Sequence, residues 1–363
     1  MTCIGSIAAC DWLPRSGPNK REIFAGSVLR DGDAFIVDVN ARVTAATGVV
    51  EQMGFSSAFR NAAPIGPDTI RPGDTLGFTI FENVEDGLLA GPGGSSALSE
   101  VQVDAGGFVF IPYAGRIRAA GNTPEALRRI ITARLDEQTP DPQVVVRRIA
   151  GDGATVSVVG AGGQGVYPIE RPTRTLSAMI ARAGGVSIPP EIAKVTVTRG
   201  KHTEMVFLKD LYEHPHMDIA LRDGDRIFIE SDARAFTVLG ATGGQSRLQF
   251  ESQTLSAIEA LAQVGGLNPS IANPTGVFVF RNEPEPIAEA VLGRADLEGS
   301  QRMVYVLDLT EPNGMFEARD FVIRDGDTIY VTEAPIVAWN RSVAALFGSL
   351  GQVRGAAATV GIQ

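Results

Sequence analysis

Leu221-Arg222-Asp223-Gly224-Asp225-Arg226-Ile227-Phe228-Ile229 and Ile323-Arg324-Asp325-Gly326-Asp327-Thr328-Ile329-Tyr330-Val331 share one pattern: an apolar residue, Arg-Asp-Gly-Asp, then an apolar strand. Reading backwards from each, the similarity continues. Val156-Ser157-Val158-Val159-Gly160 matches Phe236-Thr237-Val238-Leu239-Gly240, and Thr175-Leu176-Ser177-Ala178 matches Thr254-Leu255-Ser256-Ala257. Each of the latter opens a short helix that ends at a glycine pair, Gly184-Gly185 or Gly265-Gly266, as a left-handed C-cap requires. Strands at Val195 to Thr198 and Val277 to Phe280 follow, then a strand ending in Leu-Lys-Asp-Leu or Leu-Asp-Leu. The duplication predicts two α+β modules, residues 154–232 and 235–334, each a small mixed sheet with short helices. The second carries an insertion near 281–302, acidic and Pro-containing, which reads as an exposed loop.

Upstream, residues 66–150 form a further self-contained pattern. Thr75 to Phe81, Phe108 to Ile111, Arg116 to Ala119 and Gln143 to Arg148 read as strands, and Gly87 to Ser99 as a Gly-rich loop. Thr123-Pro124-Glu125 opens a helix with a capping hydroxyl, proline at the first position and an acid in the positive first turn. Leu127, Ile130, Ile131 and Leu135 make its apolar stripe. Before this, Ala34 to Val39 alternates as a strand within a 23–65 strand and helix segment, and residues 1–22 read as a Pro/Gly-containing tether.

The whole is therefore a multi-domain α+β chain of 363 residues, 44% hydrophobic and 20% charged, with 41 glycines and 21 prolines marking turns. Its net charge of -10 argues against nucleic acid, whose phosphates are bound by clustered Lys and Arg.

Both cysteines, Cys3 and Cys10, lie in the first ten residues, so neither staples a core nor has zinc-type spacing. Ile7-Ala8-Ala9-Cys10 resembles the lipobox at which bacterial lipoproteins are cleaved and acylated on cysteine. Because Met1 to Ala9 offers no basic residue and little apolar length for a secretory signal, the true start is expected upstream. An ordinary free cysteine is the alternative.

At the other end, Ile336, Trp339, Val343, Leu346, Phe347, Leu350 and Val353 fall on one stripe of a helix within 335–363, with Arg341, Ser349 and Gln352 opposite. Such a helix packs against a core or, in a ring of identical helices, lines a pore with its polar face.

Three motifs that invite chemistry are set aside. Gly160-Ala161-Gly162-Gly163-Gln164-Gly165 has dinucleotide-type glycine spacing, but Val166-Tyr167-Pro168-Ile169 continues as extended chain where that fold needs a helix. The Asp-Gly-Asp triples beginning at Asp31, Asp223 and Asp325 lack the later ligands of a calcium loop and fit turn chemistry. His214-Pro215-His216 offers two imidazoles only. No catalytic centre, metal site or cofactor is expected.

Ile70-Arg71-Pro72-Gly73-Asp74-Thr75-Leu76, Val103-Asp104-Ala105-Gly106-Gly107, Ile111-Pro112-Tyr113-Ala114-Gly115-Arg116-Ile117, Gly121-Asn122-Thr123-Pro124-Glu125 and Asp141-Pro142-Gln143-Val144 form an ordered series. That series resembles the N-terminal domain of bacterial outer-membrane polysaccharide export proteins. The two repeats are similar to the soluble-ligand-binding β-grasp modules that follow this domain in the family, and the tail resembles the helix its members assemble into an α-barrel.

The resemblance implies a non-enzymatic, lipid-anchored ring of identical subunits, commonly an octamer, in the outer membrane with most of the chain in the periplasm. It would conduct capsular or extracellular polysaccharide and dock onto an inner-membrane copolymerase. Cys10 would carry the acyl chain. Trp339, Val343, Leu346, Phe347 and Leu350 would face lipid, and Arg341, Ser349 and Gln352 the lumen. A periplasmic polysaccharide-binding or adaptor lipoprotein without a pore is the rival.

Overall fold

A computed structural model describes residues 17–49, 53–62, 69–82, 95–151, 153–337 and 339–340. The chain forms two compact units, one of Met1–Glu51 with Ala233–Gln363 and one of Gln52–Asp232. Both are mixed α+β, as the sequence pattern requires.

In the second of these units, residues 69–151 build an antiparallel sheet with strand order Ser95–Gln102, Thr75–Phe81, Gln143–Ala150. Leu76, Phe78 and Ile80 alternate inward along the central strand, the period-2 pattern of a sheet with one covered face. The helix Pro124–Leu135 supplies the cover through Leu127, Ile131 and Leu135, while a hairpin, Phe108–Ile111 with Gly115–Arg118, adds Val109, Ile111 and Ile117 to the same core. Thr123 caps the helix, its hydroxyl accepting from the Ala126 amide at 3.1 Å. Two expectations change. The strand Ser95–Gln102 begins inside the stretch read as loop, and Ile130 is 38% exposed, because the inward stripe is only wide enough for 127, 131 and 135.

Residues 153–232 form the first repeat, a five-stranded sheet ordered His202–Phe207, Ala193–Arg199, Arg226–Ser231, Thr155–Gly160, Gly165–Pro168. Helix Leu176–Arg182 and helix Leu208–Glu213 seal one face; Phe55 and Phe59, from residues 53–62, join that core. The Leu-Lys-Asp-Leu sequence opens this second helix instead of ending a strand.

The other unit centres on a six-stranded sheet ordered Phe35–Asp38, Gln301–Leu307, Ala272–Glu283, Thr328–Glu333, Ala235–Gly240, Ser246–Gln249. Its extra edge strand comes from the N-terminal segment and pairs in parallel with Gln301–Leu307. Four helices, Ala41–Thr47, Ala257–Gln263, Glu285–Leu292 and Pro312–Asp320, cover one face. Helix Lys20–Ala25 lies on the other, where Ile23 and Phe24 meet Phe278, Val304, Val306 and Tyr330. The exposed loop expected over 281–302 is a correction: Arg281 and Glu283 are buried in a strand, and helix Glu285–Leu292 buries Ala288 and Val291.

In both repeats the glycine pair ends the helix in left-handed conformation, with Gly185 donating to the Ile180 carbonyl at 3.0 Å and Gly266 to Leu261 at 2.9 Å.

Candidate functional site

The Arg-x-Gly-Asp turns are structural. In three of them the arginine amide donates to the aspartate three residues on: Arg71 to Asp74 at 2.9 Å, Arg222 to Asp225 at 2.8 Å, Arg324 to Asp327 at 2.8 Å. The intervening Gly73, Gly224 and Gly326 have φ of 91°, 79° and 81°, which only glycine adopts without cost. All three carboxylates are buried, so each needs partners. Arg199 grips Asp225 with two bonds of 2.9 and 2.7 Å, and Arg281 grips Asp327 with two of 2.8 and 2.5 Å. The first aspartate of each repeat also ties the turn to the start of the module, Asp223 accepting from Thr155 and Asp325 from Ala235. At Arg30-Asp31-Gly32-Asp33 the geometry differs: Asp31, not the glycine, is left-handed, and Asp33 is exposed and paired with Arg302.

Around Arg281 the second repeat has a buried polar network that sequence reading missed. Glu283 accepts from Tyr305 at 2.9 Å, Arg324 at 2.7 Å and Arg281 at 3.3 Å, and the Arg281 guanidinium sits 5.1 Å from the Phe321 ring centre. Burial and the Glu283 carboxylate push the Tyr305 hydroxyl well above its ordinary value, so it remains a donor. Burial works against the Arg281 charge, but Asp327 and then Glu283 hold its pKa above the ordinary value. Two cations, Arg281 and Arg324, face two buried carboxylates, Glu283 and Asp327, and the four hold strands and turn of the second repeat together.

The glycine-rich run is a hairpin. Thr155–Gly160 and Gly165–Pro168 pair antiparallel, and a Cβ on Gly160 would lie 2.0 Å from the Ile229 carbonyl oxygen. Ligand-capable atoms of Asp210, Glu213 and His214 lie within 4.8 Å of one another near the solvent-facing His214. Glu213 and His214 are exposed and Asp210 is half-buried, and surface groups of this kind need no ion.

A cleft of about 680 Å³ opens between helix Pro124–Leu135 and the strand ends at Phe81–Glu82 and Pro142–Gln143. Phe81 is 44% exposed, Glu82 is buried, and the Thr132 Oγ1 is buried with no hydrogen-bond partner. Asp141, at the rim, has φ 45°, the left-handed region that Asp tolerates better than most residues. Arg128 is held by Glu125 at 2.7 and 2.9 Å, and hydrogen bonding to Arg128 keeps the Glu125 carboxyl below its ordinary value. These residues come from separate elements and no motif joins them.

Of the residues assigned by resemblance, Cys10, Arg341, Val343, Leu346, Phe347, Ser349, Leu350 and Gln352 lie outside the described residues. Trp339 is 66% exposed and Ile336, three residues earlier, 60%. Among the described residues no helix is long and apolar enough to cross a membrane.

The chain is a modular protein, a helix-covered antiparallel sheet followed in sequence by two duplicated α+β modules, and residues 63–148, which contain the first sheet, match the family model for polysaccharide biosynthesis/export protein. The chain is 30% identical over 356 residues to the capsule polysaccharide export outer membrane protein CtrA of Neisseria meningitidis serogroup B, covering 93% of this chain and 90% of that one. It is 31% identical over 271 residues to the Vi polysaccharide export protein VexA/TviF of Salmonella typhi, 74% of each chain. The capsule polysaccharide export protein BexD of Haemophilus influenzae is 27% identical over 98% of this chain and 95% of its own. The chain belongs to the outer-membrane polysaccharide export family.

Proposed function

We propose that this protein is an outer-membrane lipoprotein whose subunits form an oligomeric channel for capsular or extracellular polysaccharide. Export of polysaccharide across the outer membrane is its role, and the observation that carries this is the alignment with an export protein along 93% of the chain. Nothing in the names of the relatives points to catalysis, and the reading is non-enzymatic. Acylation of Cys10 would anchor the chain to outer-membrane lipid. A ring closed by a heterologous contact would let the terminal helices turn Trp339, Val343, Leu346, Phe347 and Leu350 to lipid and Arg341, Ser349 and Gln352 to a wet lumen. The exposed row Val159, Phe228 and Met205 on the first repeat supports self-association, since apolar surface of this kind tends to be covered. An inner-membrane copolymerase would deliver the polymer.

Replacing Leu346 and Leu350 with Asp is expected to leave a folded periplasmic protein and abolish surface polysaccharide, read by immunostaining of whole cells. Normal surface polysaccharide in that variant would leave only the adaptor role.

A further inference from the structure

We propose that the end of helix Leu208–Glu213, in the first repeat, carries a reversible zinc site made by Asp210, Glu213, His214 and His216. Along the chain, His214-Pro215-His216 offers two imidazoles and no further ligand. The fold supplies the rest. Asp210, Glu213 and His214 stand at i, i+3 and i+4, the spacing that puts three side chains on one helix face, and one ligand atom from each lies within 4.8 Å of the others. Around a tetrahedral zinc, with ligands at about 2.0–2.2 Å from the metal, the ligand atoms are about 3.5 Å apart. Side chains at the surface close that difference by rotation alone.

Three observations select a metal over a chance cluster. The His214 Nδ1 lies 3.2 Å from the Asp210 carbonyl oxygen. A carbonyl only accepts, so Nδ1 carries the proton and Nε2 keeps its lone pair, which is how metal-bound histidines are held by a backbone carbonyl behind them. The His216 ring centre is 5.7 Å from that of His214 with the planes at 70°, and two imidazoles on one zinc place their ring centres about 5 Å apart. These are two of only three histidines in 363 residues. The carboxylates are also unspent: among the described residues neither the Asp210 nor the Glu213 side chain is in a hydrogen bond or an ion pair. Finally the ligands stand at the carbonyl end of their helix, which favours positive charge.

The mount is firm on both sides. Leu208 and Leu211 bury the helix in the core of the first repeat, and past the histidines Asp218 accepts from the Ser177 amide at 2.9 Å and from its hydroxyl at 2.7 Å. Pro215, between the two imidazoles, fixes its own φ. Two nitrogens with two carboxylate oxygens suit zinc, whereas calcium and magnesium take oxygen throughout. None of the four groups needs the ion in order to fold, so the site fills and empties with the free zinc around it. When filled, it clamps the helix end to the turn Pro215–Met217.

The test is isothermal titration of zinc into the untagged full chain in detergent, stripped with EDTA and with free thiols alkylated so that Cys3 and Cys10 do not compete. One zinc per chain should bind with a Kd of about 10 µM or tighter, and a large excess of calcium or magnesium should leave that affinity unchanged. His214→Ala and His216→Ala should each weaken binding about tenfold or more, whereas His202→Ala, which removes the third histidine, should not change it. His214 and His216 are both exposed, so the metal-free unfolding midpoints of these variants should match that of the parent, which separates lost binding from lost folding. Absence of zinc binding at that affinity, displacement of zinc by calcium, or binding that survives either His214→Ala or His216→Ala overturns the proposal.

Discussion

The two Arg-Asp-Gly-Asp repeats place equivalent residues on equivalent strands but bury them differently. In the first, Val159, Phe228, Thr196 and Met205 form a row across four strands, and Val159, Phe228 and Met205 are 46%, 43% and 40% exposed. In the second, the corresponding row is Leu239, Tyr330, Phe278 and Val306, and its last three members are buried beneath Ile23 and Phe24. The edge contact of Phe24 on Phe278, at 6.2 Å, and the bond from the Tyr330 hydroxyl to the Pro18 carbonyl fix that cover. One sheet has a single buried face and the other has two. The polar interior follows the same division: Arg199 keeps 21% of its side chain exposed, whereas Arg281, at the matching position, keeps 4% and gains Glu283 and Tyr305 as neighbours. A duplicated scaffold thus acquires a different core when a distant segment folds onto it.

The largest effect should come from the buried network. Arg281→Met leaves Glu283 and Asp327 short of a cation and should cost about 3–5 kcal/mol, while Arg199→Met should cost clearly less because Arg199 is itself part-exposed and faces one carboxylate, so water can reach the place it leaves. Urea unfolding followed by amide exchange in strands Ala272–Glu283 and Ala193–Arg199 reports each module separately; equal losses would erase the distinction. Next comes the covering helix. Ile23→Ala should cost about 2 kcal/mol and raise exchange in Ala272–Glu283 but not in Ala193–Arg199; unchanged exchange in both would mean that the helix does not hold the sheet. The smallest change is Phe228→Ser, expected within about 0.5 kcal/mol in the unassembled subunit, where the position is exposed. A loss as large as that of Ile23→Ala would show the first repeat's face to be covered in the folded protein.

Much of this contrast was legible in the residues. Val195-Thr196-Val197-Thr198 alternates, as a strand with one wet face must, whereas Val277-Phe278-Val279-Phe280 is apolar throughout, the mark of a strand buried on both sides. What covers the second face was not legible, because Ile23 and Phe24 lie some 250 positions away and nothing local points to their partner. Arg281 was misplaced for a related reason. A charged residue followed by Asn282, Glu283 and Pro284 reads as surface, and burial is tolerable because Asp327 and Glu283 both face the guanidinium once the strands are paired. The cleft left no signal at all, since Phe81, Thr132 and Asp141 meet only once helix and sheet are packed.

By itself the sequence determined the duplication, the module order and the turns, because strand alternation, capping residues and left-handed glycines act over a few positions. Tertiary structure decided which Arg-x-Gly-Asp turns bury their last carboxylate, which sheet faces are dry and where an aromatic ring and an unpartnered hydroxyl share a cleft. Those outcomes depend on side chains far apart in the chain excluding water together, and periodicity carries no record of which distant surfaces will meet.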